Sequence, residues 1–110
     1  DLSFRVDMAG DVPVVVTPGD IDITNAAAFR TALLEAAGRS RTFVVDMSRT
    51  QFCDTAGIHA LVAAHKQAEG DGGEVRLVVT SASVLRIFAI TGFDQVISSF
   101  SRLDQALAAP

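Results

Sequence analysis

The 110-residue chain has no tryptophan, no tyrosine, one cysteine and two histidines. The lone cysteine, Cys53, excludes an internal disulfide framework and any zinc site built on several thiolates, and it fits a reducing compartment. Basic residues are scarce: 9 Lys and Arg face 13 Asp and Glu, for a formal charge of -4. A nucleic-acid partner, which normally requires a basic face, is therefore not expected. Long apolar runs are missing too. Val12–Val16 and Val75–Val79 are strand-sized, far short of the roughly 20 residues of a spanning helix, so no membrane partner is expected. No basic segment followed by an apolar stretch opens the chain, which argues against a secretory signal and makes the cytoplasm the default location. The chain starts at Asp1, a start compatible with a longer parent.

Catalytic and cofactor signatures are equally thin. His59 and His65 stand six residues apart on one predicted helix, a spacing that turns them to different faces and disfavours shared metal ligation. No Ser-His-Asp or Cys-His set is evident. The glycines form neither a dinucleotide fingerprint nor a phosphate loop: Gly70-x-Gly72-Gly73 follows a helix and precedes a strand, the wrong order for a phosphate cradle. No cofactor, no metal and no enzymatic activity are expected.

What is present is a core. Hydrophobic residues make up 49% of the chain and charged residues 20%, proportions of a folded domain rather than a disordered one. Leu2, Phe4, Val6 and Met8 alternate with polar residues and predict a half-buried strand. A turn at 9–11 leads to a valine-rich second strand at Val12–Val16, closed by Pro18-Gly19. Thr24 or Asn25 caps a predicted helix whose inner face is Ala26, Phe29, Leu33, Ala36 and Ala37, ending at Gly38. Phe43-Val44-Val45 is a buried strand. Asp54 caps a second helix with Ile58, Leu61, Val62 and His65 inward, and Val75–Val79 forms another strand. Ser81 or Ser83 caps a third helix, with Val84, Ile87 and Phe88 inward, that stops at Thr91-Gly92. A short strand within Phe93–Ile97 and a final helix opened by Ser101-x-x-Asp104 complete the pattern. Strands alternating with helices predict an α/β fold: a mixed, mainly parallel sheet of four to five strands, about four helices, and an N-terminal antiparallel hairpin. No linker divides the chain.

Two acidic positions invite chemistry. Asp46 ends a central strand, as a phospho-accepting aspartate does in receiver domains. The acidic pair and late lysine that such chemistry needs have no convincing counterpart, so a carboxylate satisfying nearby backbone donors is expected. The segment Phe52-Cys53-Asp54-Thr55-Ala56-Gly57-Ile58 is more informative. It sets a hydroxyl residue in the first turn of a helix, where free N–H groups and the helix dipole stabilise negative charge. Small residues at 56 and 57 leave room for another protein's active site to reach Thr55. Cys53 is expected to be a small, partly buried apolar residue, an intermolecular disulfide being the alternative. Phe88, Phe93 and Phe100 are expected in or over the core.

This segment resembles the Phe-x-Asp-Ser-Ser/Thr/Ala-Gly-Leu signature of STAS domains, specifically the bacterial anti-anti-sigma factors. Gly19-Asp20-Ile21-Asp22 is similar to the family's Gly-Glu-Leu-Asp, and Phe43-Val44-Val45-Asp46-Met47-Ser48 to the strand before its motif. Gly72-Gly73-Glu74-Val75-Arg76-Leu77, Val84-Leu85-Arg86-Ile87-Phe88 and Thr91-Gly92-Phe93 follow in the family's order. The resemblance implies one STAS domain over 1–110. It implies an anti-sigma factor antagonist that binds an anti-sigma factor with serine/threonine kinase activity, releases a sigma factor, and is switched off by phosphorylation. ATP and magnesium belong to the kinase. Carried over by position, Thr55 is the phosphate acceptor, where the family usually has serine. Asp20, Asp22, Asp54, Thr55, Ala56 and Gly57 form the partner-binding surface. The alternative is a STAS module in a transporter tail or a small-ligand sensing protein.

Overall fold

The structure, a computed structural model, describes residues 4–109. Strands β1 (Arg5–Ala9) and β2 (Val12–Val16) form the antiparallel hairpin, with Val6 opposite Val15 and Met8 opposite Pro13. Gly10 at its tip takes φ +63°, a left-handed conformation that glycine enters without steric cost. A two-residue strand β3 (Asp20–Ile21) precedes helix α1 (Ala26–Arg39), and β4 (Thr42–Met47) follows. A second two-residue strand, β5 (Phe52–Cys53), runs directly into helix α2 (Thr55–Gly70). Strand β6 (Glu74–Val79), helix α3 (Ala82–Thr91), a 3-10 turn at Phe93–Gln95, strand β7 (Ser99–Phe100) and helix α4 (Leu103–Ala108) complete the chain.

The main sheet has five strands in the order β1-β2-β4-β6-β7, parallel except for the first pair. Alternate residues of the central strands face opposite sides. Val15, Phe43, Val45, Val75 and Leu77 pack with Phe29 and Leu33 of α1, Leu61 and Ala64 of α2, and Val84 and Phe88 of α3. Val14, Val16, Val44 and Val78 turn the other way, under Ala106, Leu103 and Leu107 of α4. Arg76, buried on this second face, donates to the Ala106 carbonyl at 3.0 Å and fastens α4 to the sheet. Gly73 follows from close packing at the start of β6, because a side chain there would overlap the Arg41 carbonyl, which accepts from Glu74 N at 3.0 Å. The mixed, mainly parallel sheet, the four helices and the N-terminal hairpin match the expected architecture.

Several local expectations differ. Leu2 lies outside the described residues, and the alternation in β1 does not produce burial: Val6 is 39% and Met8 55% exposed, on an edge strand. Helix α1 runs through Gly38 to Arg39, because nothing at Gly38 forces a left-handed turn. Asn25 occupies the N-cap position, but its side chain bonds back into the preceding loop instead of capping. Ser81 caps α3, accepting from Val84 N at 3.3 Å, while Ile87 faces outward. Phe93–Ile97 is not a strand. Gly92, at φ +78°, ends α3 and turns the chain into the 3-10 turn, where Phe93 packs edge-on against Phe88 with ring centres 4.8 Å apart. The last strand falls later, at 99–100. Ser101 bonds to Gln105 and does not cap α4, whose N-cap residue is Arg102.

Candidate functional site

At the carboxyl ends of β2 and β4, a small substructure joins two loops distant in sequence. β3 and β5 pair in parallel as a separate two-stranded ribbon, with Asp20 opposite Phe52 and Ile21 opposite Cys53. Gln51 N donates to the Gly19 carbonyl at 2.8 Å, and Asp54 N donates to the Ile21 carbonyl at 3.1 Å. Below the ribbon, the buried hydroxyls of Thr17 and Thr50 meet at 2.6 Å, and Thr50 donates to the Pro18 carbonyl at 2.6 Å. Backbone and buried hydroxyls together set the Asp20–Asp22 loop beside the start of α2.

The helix start is built as predicted. The Asp54 carboxylate accepts from Ala56 N at 2.9 Å and Gly57 N at 3.4 Å, the arrangement of an N-cap. Thr55 is the first helical residue and is exposed; Ala56 is half-buried. Gly57 is buried, and a Cβ there would lie 2.7 Å from Cys53 Sγ and 2.8 Å from Ile21 Cγ2. The glycine of the motif therefore allows α2 to sit against the ribbon, and the approach it permits is internal. One expectation changes: the N–H groups of Ala56 and Gly57 already serve Asp54, so they are not free for a phosphate.

Asp22 is tied into its own loop. Its carboxylate accepts from the Thr24 hydroxyl and from Thr24 N at 2.9 Å. The hydroxyl bond leads in holding the Asp22 carboxyl below its ordinary value, with the backbone bond second. A depressed folded value favours the folded loop above the ordinary value of 3.8 and loses that effect as the pH falls through the folded one. Asp20 is exposed at the outer side of the ribbon, and Ile23 beside it is 81% exposed. Asp20, Asp22, Asp54 and Thr55 thus belong to one end of the domain.

The other singled-out residues take plainer roles. Asp46 accepts from Ser48 N at 3.0 Å, satisfying a local backbone donor. His59 is exposed on α2, and His65, half-buried, lies 3.7 Å from Glu69. Among the described residues no group of three or more His, Cys, Asp or Glu is placed to hold a metal, and no helix is long and apolar enough to cross a membrane. Cys53 is only 1% exposed; burial, helped by the nearby Asp54 charge, pushes its thiol up to about 12. That leaves no accessible sulfur for an intermolecular disulfide. Sequence reasoning missed Phe52, whose ring is 51% exposed beside the motif, and its neighbours Arg86 and Ile87 across a groove. In a two-residue strand the in-out alternation has no repeat from which to be read.

Residues 3–106 match the family model described as the STAS domain. The anti-sigma-B factor antagonist of Bacillus subtilis (strain 168) is 27% identical over 99 residues, covering 87% of this chain and 90% of that protein. The crystal structure of an anti-sigma factor antagonist from Mycobacterium paratuberculosis superposes with a TM-score of 0.86 at 26% identity, over 96% of this chain and 90% of that one. The Bacillus cell fate determinant SpoIIAA, solved in its phosphorylated form, shares the fold with a TM-score of 0.73 at 18% identity, covering 96% of each chain. With its sheet order, its helices and almost its whole length accounted for, this chain belongs to the STAS domain family.

Proposed function

We propose that this chain is an anti-sigma factor antagonist: a binding module, not an enzyme, whose partner is an anti-sigma factor with serine/threonine kinase activity. Thr55 is its phosphate acceptor, and Asp20, Asp22, Asp54, Ala56 and Gly57 belong to the surface or support of the docking site. The kinase supplies ATP and magnesium, and the module acts indirectly on a sigma factor in the cytoplasm. The observation that carries this reading is an exposed hydroxyl at the first position of a 16-residue helix, next to a capping carboxylate, in a domain whose relatives are named anti-sigma factor antagonists.

The geometry supports a mechanism by local repulsion. Phosphorylation of threonine adds about -1.5 to -2 charges at neutral pH. Because Asp54 already accepts from the Ala56 and Gly57 N–H groups of α2, these do not neutralise the new phosphate, and its charge is met by whatever covers Thr55. The helix dipole moderates the added charge within this domain, and the ribbon, tied by backbone bonds, has no reason to move. The docked partner receives the unfavourable interaction. A loss of about 3 kcal/mol there weakens binding more than a hundredfold.

The test is incubation with the cognate anti-sigma kinase and Mg-ATP, read by intact mass and peptide mapping. Wild type and Thr55→Ser gain one phosphate, Thr55→Ala gains none, and Thr55→Glu binds the kinase at least a hundredfold more weakly by calorimetry. Equal labelling of Thr55→Ala, or unchanged binding by Thr55→Glu, overturns the assignment.

A further inference from the structure

A groove of about 370 Å³ opens between β5 and the start of α3, lined by Gln51, Phe52, Cys53, Ala82, Ser83, Arg86 and Ile87. Its size falls in the range of small-molecule sites, and its lining has their character, mainly apolar with a few polar groups. Two of its walls are large apolar groups that the chain leaves partly uncovered side by side: Phe52 is 51% exposed and Ile87 36%. At the same groove stands Arg86, exposed and without a hydrogen bond or ion pair among the described residues. Arg5, Arg76 and Arg102 each hold a carboxylate two residues away in sequence. Arg86, like Arg30, Arg39, Arg41 and Arg49, holds none among the described residues; what sets it apart is its place in the groove lining, where its guanidinium fork can meet an occupant.

We propose that this groove binds a small organic anion, a carboxylate on a flat apolar body. The body lies against Phe52 and Ile87, where an offset aromatic stack removes both surfaces from water. The carboxylate pairs with the Arg86 guanidinium, whose planar donors match two carboxylate oxygens at once. Ser83 and Gln51 supply further hydrogen-bonding groups at the groove. The site is separate from Thr55 and requires neither a kinase nor a phosphate, so its failure and that of the phosphorylation scheme are read independently.

The experiment is a titration of the ¹⁵N-labelled chain with 2-naphthoate, followed through backbone amide shifts. Saturable shifts are expected at Phe52, Ser83, Arg86 and Ile87, with Kd on the order of 1 mM or tighter for so small a ligand. The uncharged 2-naphthylmethanol should bind at least tenfold more weakly, and Arg86→Gln should weaken 2-naphthoate binding by a similar factor while leaving the alcohol unchanged. The alcohol comparison on wild type decides the matter if the variant's spectrum shows misfolding. Shifts that fail to saturate, that scatter beyond the groove, or that are equal for acid and alcohol overturn the proposal. Binding of 2-naphthyl phosphate more than tenfold tighter than 2-naphthoate overturns the carboxylate assignment. Protection of these amides by a bound kinase, with no response to 2-naphthoate, overturns the small-ligand site in favour of a protein contact.

Discussion

One substitution, made at two glycines, should change stability in opposite directions. Gly38 lies near the end of α1 with nothing within 4 Å of where a Cβ would be, and without a positive φ. Alanine there restricts the unfolded chain and improves helix propensity, so Gly38→Ala should stabilise by about 0.5–1 kcal/mol. Gly57 stands in the first turn of α2, where the same methyl would meet Cys53 Sγ at 2.7 Å and Ile21 Cγ2 at 2.8 Å. Both neighbours are buried, Ile21 at 0% and Cys53 at 1% exposure, and both belong to the paired ribbon, so neither can swing into solvent. Overpacking of this kind costs about 1–3 kcal/mol, against a helix gain of at most about 1 kcal/mol, leaving Gly57→Ala destabilised by roughly 1–2 kcal/mol. Urea titration gives both values directly, and each kcal/mol corresponds to about 4 °C in melting temperature for a chain of this size. Adding Cys53→Ala to Gly57→Ala removes one of the two collisions, so the double variant should lose less stability than the two single changes added together. A stabilised Gly57→Ala, or strict additivity with Cys53→Ala, would refute the close-approach explanation of this glycine.

Three further outcomes follow from the same end of the domain. Asp54→Ala removes an N-cap that serves two N–H groups and should cost about 1 kcal/mol by urea titration, whereas Asp54→Asn should retain most of it. Thr50→Val removes the hydroxyl that serves the part-buried Pro18 carbonyl, while the Thr17 hydroxyl keeps its bond to the Asp46 carbonyl, and should destabilise by about 1–2 kcal/mol, with faster amide exchange at Gln51 and Asp54. The Cys53 thiol should react with iodoacetamide at pH 8 at least about a hundredfold more slowly in the folded chain than in urea, because burial both shields the sulfur and raises its pKa from 9.0 to about 12. Since the folded value is the higher one, this thiol favours the folded state below pH 9 and should erode stability as the pH rises from 9 toward 12; Cys53→Ala should flatten that alkaline limb of the stability curve.

The parts of the fold readable from the sequence were those with repeating patterns. Phe29, Leu33, Ala36 and Ala37 recur at helical spacing, and the valine runs of β2 and β6 are long enough to show their type. Asp54 was legible as a cap because capping is a local interaction, settled within three residues. What escaped depends on contacts between distant segments. β3 and β5 have two residues each, too few for any period, and exist because Gly19 and Ile21 carbonyls meet the backbone at 51 and 54. Val6 and Met8 alternate correctly yet remain exposed, since burial of an edge strand depends on how far the helices extend over it. Phe93 and Ile97 are recognisable as apolar, but the 3-10 turn that Phe93 opens is not, because the left-handed Gly92 redirects the chain before a strand can start. At the site, the acceptor hydroxyl and its cap were visible in advance, while the exposure of Phe52 and its groove with α3 required the fold.

The ribbon of β3 and β5 separates shape from identity at this end of the molecule. Its inward positions, Ile21 and Cys53, are locked into the core, while its outward positions, Asp20 and Phe52, contribute to the pairing only through their backbones. Substitutions at those outward positions leave the hydrogen bonds and the helix start intact. The outward side chains are therefore free to vary while the ribbon keeps its shape. Change at this end of the domain is then reached without passing through an unfolded intermediate.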